Sequence, residues 1–302
     1  MPNLPSWVPD YTNGMPWKSL QRSPCKFRAT PPSETVFSYE ENWPGCLVAP
    51  FHQFDTVAAA CPAHWDFDEE GTYHKIVDML SLLLYPEPIR VEGSDSLLKA
   101  LALTLVADKA DDGGTGARDM VMEFATMAFF QLWHVVRAQS PDLVESLPQG
   151  EEREHLVVNI LTAAGINRNA ELVAGPLAQA FDEHRLMAED DVSAKARGLR
   201  NSDAAMSHYT SQSRVPFRVD WMITAGNRSL FRTDRGYLGL GPRTVKVGDR
   251  VGILKGAQVP YIFRHSERDA ETILDLVGES YVHGIMYGEL GSMLEYGRIT
   301  LY

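Results

Sequence analysis

The sequence predicts an α+β fold: a small, curved antiparallel sheet or barrel built from the N- and C-terminal parts, with an inserted helical layer. Apolar residues recur at helical spacing through residues 74–210, whereas short apolar runs broken by glycines fill residues 216–290. A further strand-like segment lies at residues 45–60. Strands from both ends of the chain are therefore expected to form one sheet around the helical insertion.

The 302 residues are expected to form one domain preceded by an extended arm. The arm, residues 1–44, is rich in Pro, Ser and Trp, as in the segment Leu4–Asp10. Because proline fixes φ and lacks an N–H donor, this composition disfavours a helix. We expect the arm to cross the surface of a single domain, residues 45–302, and to be anchored by its tryptophans.

The first strand is expected to run from Cys46 to Pro50, where the proline ends it, and a second apolar segment, Phe54–Ala60, follows. Helices predicted from apolar spacing cover residues 74–85, 97–106, 117–138, 151–163, 169–187 and 190–209. The segment 117–138 is apolar around most of its circumference, so it is expected to be buried on several sides.

From Pro216 onward the apolar period changes from helical spacing to two. Phe217, Trp221 and Ile223 fall on one side of this pattern, which predicts a strand with one buried face. The glycine-broken runs between Leu230 and Met286 are expected to supply the remaining strands.

The charge balance counts against a nucleic-acid partner. The formal net charge is −12, from 28 Lys and Arg and 40 Asp and Glu, whereas phosphate binding needs a concentrated basic surface. One local cluster of arginines is the exception: Arg228, Arg232, Arg235, Arg243 and Arg250. We interpret these arginines as solvated charges at strand edges.

The cysteine pattern and the lack of a signal-peptide pattern indicate the cellular compartment of the protein. The three cysteines, Cys25, Cys46 and Cys61, show no Cys-x-x-Cys spacing, which indicates a reducing compartment and free thiols. The N-terminus lacks the pattern of a signal peptide, and no apolar run approaches the ~18 residues of a membrane helix. The sequence therefore predicts a cytoplasmic protein without a membrane span, and homo-oligomer formation stays open.

Several segments resemble a known family. Leu4–Asp10 (LPSWVPD) is similar to the segment that follows the N-terminal domain of fungal heterokaryon-incompatibility (HET) proteins. Phe231–Pro242 (FRTDRGYLGLGP), Gly248–Val251 (GDRV) and Tyr281–Met286 (YVHGIM) resemble their glycine-rich C-terminal signature, and Ala102–Asp108 resembles a weaker helical motif. The resemblance implies that the chain corresponds to the region that follows the HET domain, without that domain.

No metal or cofactor is predicted. Cys61, His64 and His74 carry ligand atoms, but no second closely spaced pair completes a tetrahedral zinc set. The acidic segment Asp66–Glu70 lacks a matching acidic motif on another helix. The segment Gly236–Gly241 does not have G-x-G-x-x-G spacing and precedes no predicted helix, so it makes no pyrophosphate cradle.

Three polar residues are candidate catalytic groups. Tyr281 and His283 lie two apart on a predicted strand, so both side chains would project from one face and donate hydrogen bonds. Arg232 is a candidate for orienting a carbonyl. The structural alternatives are that Tyr281 and His283 tie the last strand to its neighbours, and that Arg232 pairs with Asp234 or Asp249.

Four further residues are candidates for substrate binding, because aromatic side chains cluster in the predicted helices and in the segment after Pro216: Phe129, Trp133, His134 and Trp221. Such residues line an apolar cavity between helices and sheet in one interpretation. In the other they fill the core, which is the commoner role of aromatic stripes.

These observations favour a cofactor-independent enzyme that acts on an apolar small molecule by shape, desolvation and a few hydrogen bonds. Within the family context, the chain resembles a stand-alone relative recruited to fungal secondary metabolism as a Diels–Alderase, of the sordarin-type norbornene-forming class. The reaction implied is an intramolecular [4+2] cycloaddition of a terpenoid. The alternative is a non-enzymatic HET-type regulatory or interaction module, which predicts an exposed apolar patch instead of an enclosed pocket.

Overall fold

The computed structural model describes residues 20, 26–31, 38–39, 46–63, 69–84, 86–91, 97–108, 120–121, 123–125, 127–128, 132, 151–163, 166, 168–179, 216–266 and 273–302. The chain divides into two compact units, Met1–His64 with Ile89–Ser94 and Ile223–Tyr302, and Trp65–Pro88 with Asp95–Met222. The strands lie in the first unit, and most of the helices lie in the second. The predicted α+β class with a curved, barrel-like sheet is therefore confirmed.

The first unit contains strands β1 (Ser38–Tyr39), β2 (Leu47–Pro62), β3 (Arg228–Thr233), β4 (Leu238–Pro242), β5 (Arg250–Leu254), β6 (Tyr261–His265), β7 (Ile273–Glu279), β8 (Tyr281–Val282) and β9 (Gly297–Leu301). Their order in the sheet is β5–β6–β7–β9–β2–β3–β4–β8, and β1 pairs with β2. A further pairing of β2 with β5 closes β2, β5, β6, β7 and β9 into a ring. The pairs described are antiparallel, apart from the parallel pair of β7 and β9.

Strand β2 links the ring to the rest of the sheet. It is 16 residues long and pairs in turn with β9, with β5 and, beyond Val57, with β3. The prediction that the first strand ends at Pro50 is therefore wrong. A proline removes a donor but keeps its acceptor, and the carbonyl of Pro50 accepts a hydrogen bond from the N–H of Lys255 at 3.1 Å. A register shift lies between Gln53 and Asp55 in the pairing with β5, and another lies between Val57 and Ala59 in the pairing with β3. Such irregularities bend a strand.

The interior of the ring is an apolar cluster to which each ring strand contributes: Ala49, Phe51, Leu254, Phe263, Leu274 and Leu301. The rings of Phe51 and Phe263 meet edge to face, with centroids 4.9 Å apart. Phe51 lies directly over Gly252 of β5, because a Cβ added at Gly252 would be 1.9 Å from Cε2 of Phe51. The glycine therefore makes room for the aromatic ring that fills the barrel.

A second apolar core joins the ring strands to β3 and β8. It includes Phe231 of β3, Val282 of β8 and Ile262 of β6, which are all fully buried. Phe231 is paired with Gly239 of β4, and a Cβ at Gly239 would lie 2.2 Å from Cζ of Phe231. An aromatic ring thus covers a cross-strand glycine here as well, which fixes one face of β3, β4 and β8 against this core.

The helices are α1 (Glu69–Leu84), α2 (Leu97–Leu105), α3 (Glu151–Ala163) and α4 (Pro216–Ala225). Residues 171–179 are also helical, as are the residues described between 120 and 132. The helix predicted at 190–209 lies outside the described residues. Helix α2 ends with Asp108 donating its N–H to the carbonyl of Leu103 at 2.7 Å, a closing bond of the Schellman type. No helix in the described part of the chain combines the length and hydropathy that a bilayer crossing requires.

The predicted strand at residues 217–223 is wrong, because Pro216–Ala225 forms helix α4. Phe217 and Trp221 are four residues apart, a spacing that satisfies both a period of two and one turn of a helix. Both rings are buried and lie 5.8 Å apart, and both also contact Phe124. Ile223, which the strand would bury, is 37% exposed. A helical face explains this burial, whereas alternation does not.

Replacing Trp221 with phenylalanine is expected to lower the free energy of unfolding by about 1–2 kcal/mol, because part of a buried ring is lost beside Phe124 and Phe217. Denaturant unfolding of the purified chain measures the change. The neighbouring variant Met222→Ala is the control, since Met222 is 39% exposed and its truncation should change stability by less than about 0.5 kcal/mol. An unchanged free energy of unfolding in Trp221→Phe would contradict the packing role of this ring.

Candidate functional site

The candidate site lies on one face of β3, β4 and β8. Leu230 of β3 is opposite Leu240 of β4, which is opposite Tyr281 of β8. One step along, Arg232 is opposite Leu238, whose carbonyl accepts the N–H of His283 at 2.9 Å. Residues opposite each other in a sheet share a face. We call this the β3–β4–β8 face: Arg228, Leu230, Arg232, Leu238, Leu240 and Tyr281.

This face points away from the second core, because side chains alternate along a strand and Phe231 and Val282 point into that core. It is nevertheless buried. Leu230 and Leu240 are each 0% exposed, and Tyr281 is 2% exposed. Polar groups are therefore set among leucines in a water-poor environment, where hydrogen bonds are stronger than at the surface.

Tyr281 and His283 form a hydrogen-bonded pair. The Tyr281 hydroxyl is 3.2 Å from Nδ1 of His283, and the two rings are 6.4 Å apart. When the hydroxyl donates to Nδ1, the neutral imidazole carries its proton on Nε2. His283 is half-buried, so the pair combines a buried hydroxyl with a more accessible ring. The sequence predicted both residues on one strand, but β8 ends at Val282 and His283 lies in the turn that follows. The turn nevertheless brings the imidazole into contact with the Tyr281 hydroxyl.

Arg232 shares the face but lies on a different strand. β4 separates it from β8, and neighbouring strands are about 4.8 Å apart. A Cβ added at Gly236 would lie 3.7 Å from Nη2 of Arg232. Gly236 has a φ of +86° and closes the turn between β3 and β4, where its N–H donates to the carbonyl of Thr233. The guanidinium of Arg232 therefore lies beside this turn, whose positive φ favours glycine.

A buried ion pair lies at the edge of the same face. Nη2 of Arg228 is 2.8 Å from Oε1 of Glu279, and the two side chains are 1% and 11% exposed. Burial lowers the pKa of Arg228, and the charge and hydrogen bond of Glu279 oppose that effect. Glu279 also accepts the N–H of Leu20. The pair therefore holds the end of β7 against the start of β3.

The interpretation of the arginine cluster as solvated charges is wrong for two of its members. Arg228 is 1% and Arg232 is 6% exposed, whereas Arg235 and Arg243 are exposed as expected. The physical reason is the strand period, because Arg228, Leu230 and Arg232 lie two apart and point to one face.

Asp249, a predicted partner of Arg232, instead binds Arg264. Its two carboxylate oxygens accept from Nε and Nη2 of Arg264 at 2.7 and 2.8 Å. This hydrogen bonding raises the pKa of Arg264. Asp249 also accepts the N–H of Lys246 at 2.8 Å, so it organises the turn before β5.

The predicted substrate-binding residues are not brought together by the described part of the structure. Phe129, Trp133 and His134 lie outside the described residues, and Trp221 is 1% exposed in the aromatic cluster of the second unit. Among the described residues, no group of three or more His, Cys, Asp and Glu side chains is arranged to hold a metal ion. His64 and the side chain of His74 are not among them.

The comparisons with known proteins agree with the closed ring of strands. Residues 175–298 match the family described as the Het-6 beta-barrel domain. The chain is also 38% identical over 65 residues to "Heterokaryon incompatibility protein 6, OR allele" of Neurospora crassa. The resemblance to HET proteins is confirmed. That aligned segment covers 22% of this chain and 10% of the relative. No solved structure matches the chain.

Sequence reasoning missed two features of the site. The partner of Arg228, Glu279, is 51 residues away, and nothing in the local pattern links them. Phe27, from the predicted arm, has its ring 5.9 Å from that of Tyr281. The spacing of Arg228, Leu230 and Arg232 could have indicated the face, because residues two apart on a strand point to the same side.

Proposed function

We propose that this protein is a cofactor-independent enzyme that acts on an apolar small molecule, and that its reaction is an intramolecular [4+2] cycloaddition. The observation that supports the proposal is the hydrogen-bonded Tyr281–His283 pair beside a buried, leucine-rich sheet face. The buried leucines keep water away from the pair, and the pair supplies a directed hydrogen-bond donor. The substrate class proposed is a terpenoid from fungal secondary metabolism.

In this mechanism the substrate binds beside the Tyr281–His283 pair, with its diene and dienophile held close together. Holding two reacting groups in the correct geometry lowers the entropic part of the barrier. Two carbon–carbon σ bonds form, and three π bonds become one, so no atom or proton leaves the substrate. Tyr281 orients the imidazole of His283, whose Nε2–H donates to a carbonyl conjugated with the dienophile. Arg232 is the proposed second donor, for a substrate that carries a carboxylate or a second carbonyl.

Deletion of the gene in its source organism tests the proposal. Because a cycloaddition is an isomerisation, the deletion strain should accumulate a metabolite of the same mass that retains the open diene. Liquid chromatography with mass spectrometry and NMR identifies such an isomer. The purified protein added to the isolated isomer should then produce the ring. An unchanged metabolite profile, or ring closure at the same rate without protein, rejects the enzymatic proposal.

With that substrate, Tyr281→Phe and His283→Gln are each expected to lower kcat about 10- to 100-fold, because a donor to the developing charge is lost or misoriented. Substrate affinity should change less, since apolar contacts provide most of the binding free energy of an apolar substrate. Tyr296→Phe is the matched control, because it removes a tyrosine hydroxyl at a half-buried position away from the face. Equal kcat values in all variants would exclude the pair from the reaction.

A second candidate function is a HET-type regulatory or interaction module. The match of residues 175–298 to the Het-6 beta-barrel domain and the 38% identity to an incompatibility protein favour it. Val247 and Met293, 69% and 64% exposed, are apolar side chains that a protein partner would cover. Growth arrest when strains with and without this gene are fused, together with an unchanged metabolite profile, would favour this function over the enzymatic one.

A further inference from the structure

A short segment of the predicted arm, residues 26–31, lies against the Tyr281–His283 pair; we call it the strap. It is attached by hydrogen bonds to two loops. The N–H of Arg28 donates to the carbonyl of Met286 at 2.8 Å, and the N–H of Ala29 donates to that of Gln258 at 3.0 Å. The hydroxyl of Thr30 donates to the carbonyl of Ala257 at 2.9 Å. None of these three bonds belongs to a strand ladder.

Phe27 is the strap residue that reaches the candidate site. Its ring is 3% exposed and meets the ring of Tyr281 edge to face, at a centroid distance of 5.9 Å and an angle of 62°. The ring of Tyr287 is another neighbour of Phe27, with the two centroids also 5.9 Å apart. Arg28, next along the strap, is exposed. The strap therefore buries one aromatic side chain against the tyrosine whose hydroxyl orients His283.

The strap also contacts a glycine of the loop beside it. Gly288 has a φ of +91°, and a Cβ at this position would lie 3.4 Å from the carbonyl oxygen of Arg28, an ordinary contact. The glycine therefore serves the positive φ of the turn at this point. A segment held by loop hydrogen bonds and side-chain packing opens at lower free energy than a strand within a ladder. Tyr281 itself is held more firmly, because β8 pairs with β4.

We infer that Phe27 forms a removable wall of the Tyr281–His283 site and controls how an apolar small molecule reaches Tyr281. The inference rests on the proposed function for the nature of the ligand. An aromatic ring suits this role, because it excludes water from the hydroxyl while offering an apolar contact to a ligand. Movement of the strap exposes Tyr281 without breaking the sheet.

The test uses nitration of the purified full-length protein by tetranitromethane, a small reagent that needs no enzymatic activity. Peptide mass spectrometry follows nitration at Tyr281 and at Tyr237. Tyr237 is the internal reference, because it is 8% exposed and its ring packs on Phe54 at 4.8 Å. Phe27→Ala is expected to raise the initial rate at Tyr281 about tenfold, the factor that loss of an aromatic pair allows, with the rate at Tyr237 unchanged.

Two further variants complete the design. Arg28→Ala keeps the backbone bonds of the strap and should nitrate at the wild-type rate. Phe27→Leu retains part of the apolar contact and should give an intermediate rate, and it replaces Phe27→Ala if that variant does not fold. An unchanged rate at Tyr281 would overturn the inference. An equal rise at Tyr281 and Tyr237 would also overturn it, since it would reflect general loosening of the barrel. Neither outcome depends on whether the protein catalyses a cycloaddition.

Discussion

Replacing Gly252 with alanine is expected to destabilise the protein by about 3 kcal/mol, because the new methyl group would overlap a buried aromatic ring. A Cβ at Gly252 lies 1.9 Å from Cε2 and 2.3 Å from Cζ of Phe51. The Phe51 ring is 5% exposed and packs on Phe263 inside the ring of strands, so it has no open space to enter. Denaturant unfolding of the variant measures the loss.

Gly297 provides the matched control, since it is the β9 residue paired with Phe51. A Cβ there would lie 3.8 Å from the carbonyl oxygen of Phe51, an ordinary contact, so Gly297→Ala should change stability by less than about 0.5 kcal/mol. Adding Phe51→Leu to Gly252→Ala should recover part of the loss, because the smaller side chain vacates the overlapping volume. A stable Gly252→Ala single variant would disprove the close approach of the ring.

The second large effect is expected from the buried ion pair. Arg228→Met should lower the free energy of unfolding by about 3–5 kcal/mol, because it leaves the carboxylate of Glu279 buried without its cation. Burial already lowers the pKa of Arg228, which indicates that desolvation offsets much of the attraction. The pair therefore contributes less to stability than the loss of one partner suggests.

A double variant separates the contribution of the ion pair to stability from the cost of leaving one buried charge unpaired. Arg228→Met with Glu279→Gln removes both charges and keeps an acceptor for the N–H of Leu20, so its stability should lie within about 1–2 kcal/mol of the wild type. Arg243→Met is the control for loss of an exposed arginine from the same cluster, with an expected change below about 0.5 kcal/mol. If Arg228→Met and Arg243→Met had equal effects, the burial of the pair would be refuted.

The fold class could be predicted because periodicity is local information. The helix predicted at residues 151–163 coincides with α3 (Glu151–Ala163), and helix α1 begins five residues before the predicted start at residue 74 and ends at Leu84. Glycine-broken apolar runs likewise marked strands β3 to β8. The two errors in secondary structure arose at positions where one local pattern is compatible with two structures. Phe217 and Trp221 satisfy both periods, and Pro50 stays inside a strand whose pairing does not need its missing donor.

The candidate site could be predicted only where its residues are neighbours in sequence. Tyr281 and His283 lie two apart, so strand alternation predicted that they share a face. β8 ends at Val282, and the following turn places Nδ1 of His283 3.2 Å from the Tyr281 hydroxyl. Arg232 could be expected to point to one side of β3. That it shares a face with Tyr281 follows from the order β3–β4–β8, which no local pattern contains. The apolar environment of this face could not be read from single strands.

By itself, the sequence determined the α+β class, the strand-rich C-terminal part and the resemblance to HET proteins. Each of these depends on residue identity over a few neighbouring positions. Only the tertiary structure decided that β2 closes the ring, that Arg228 pairs with Glu279, and that Phe27 covers Tyr281. These contacts join residues that are far apart along the chain. They form because burying apolar surface and pairing buried charges select one arrangement among many that satisfy the same local patterns.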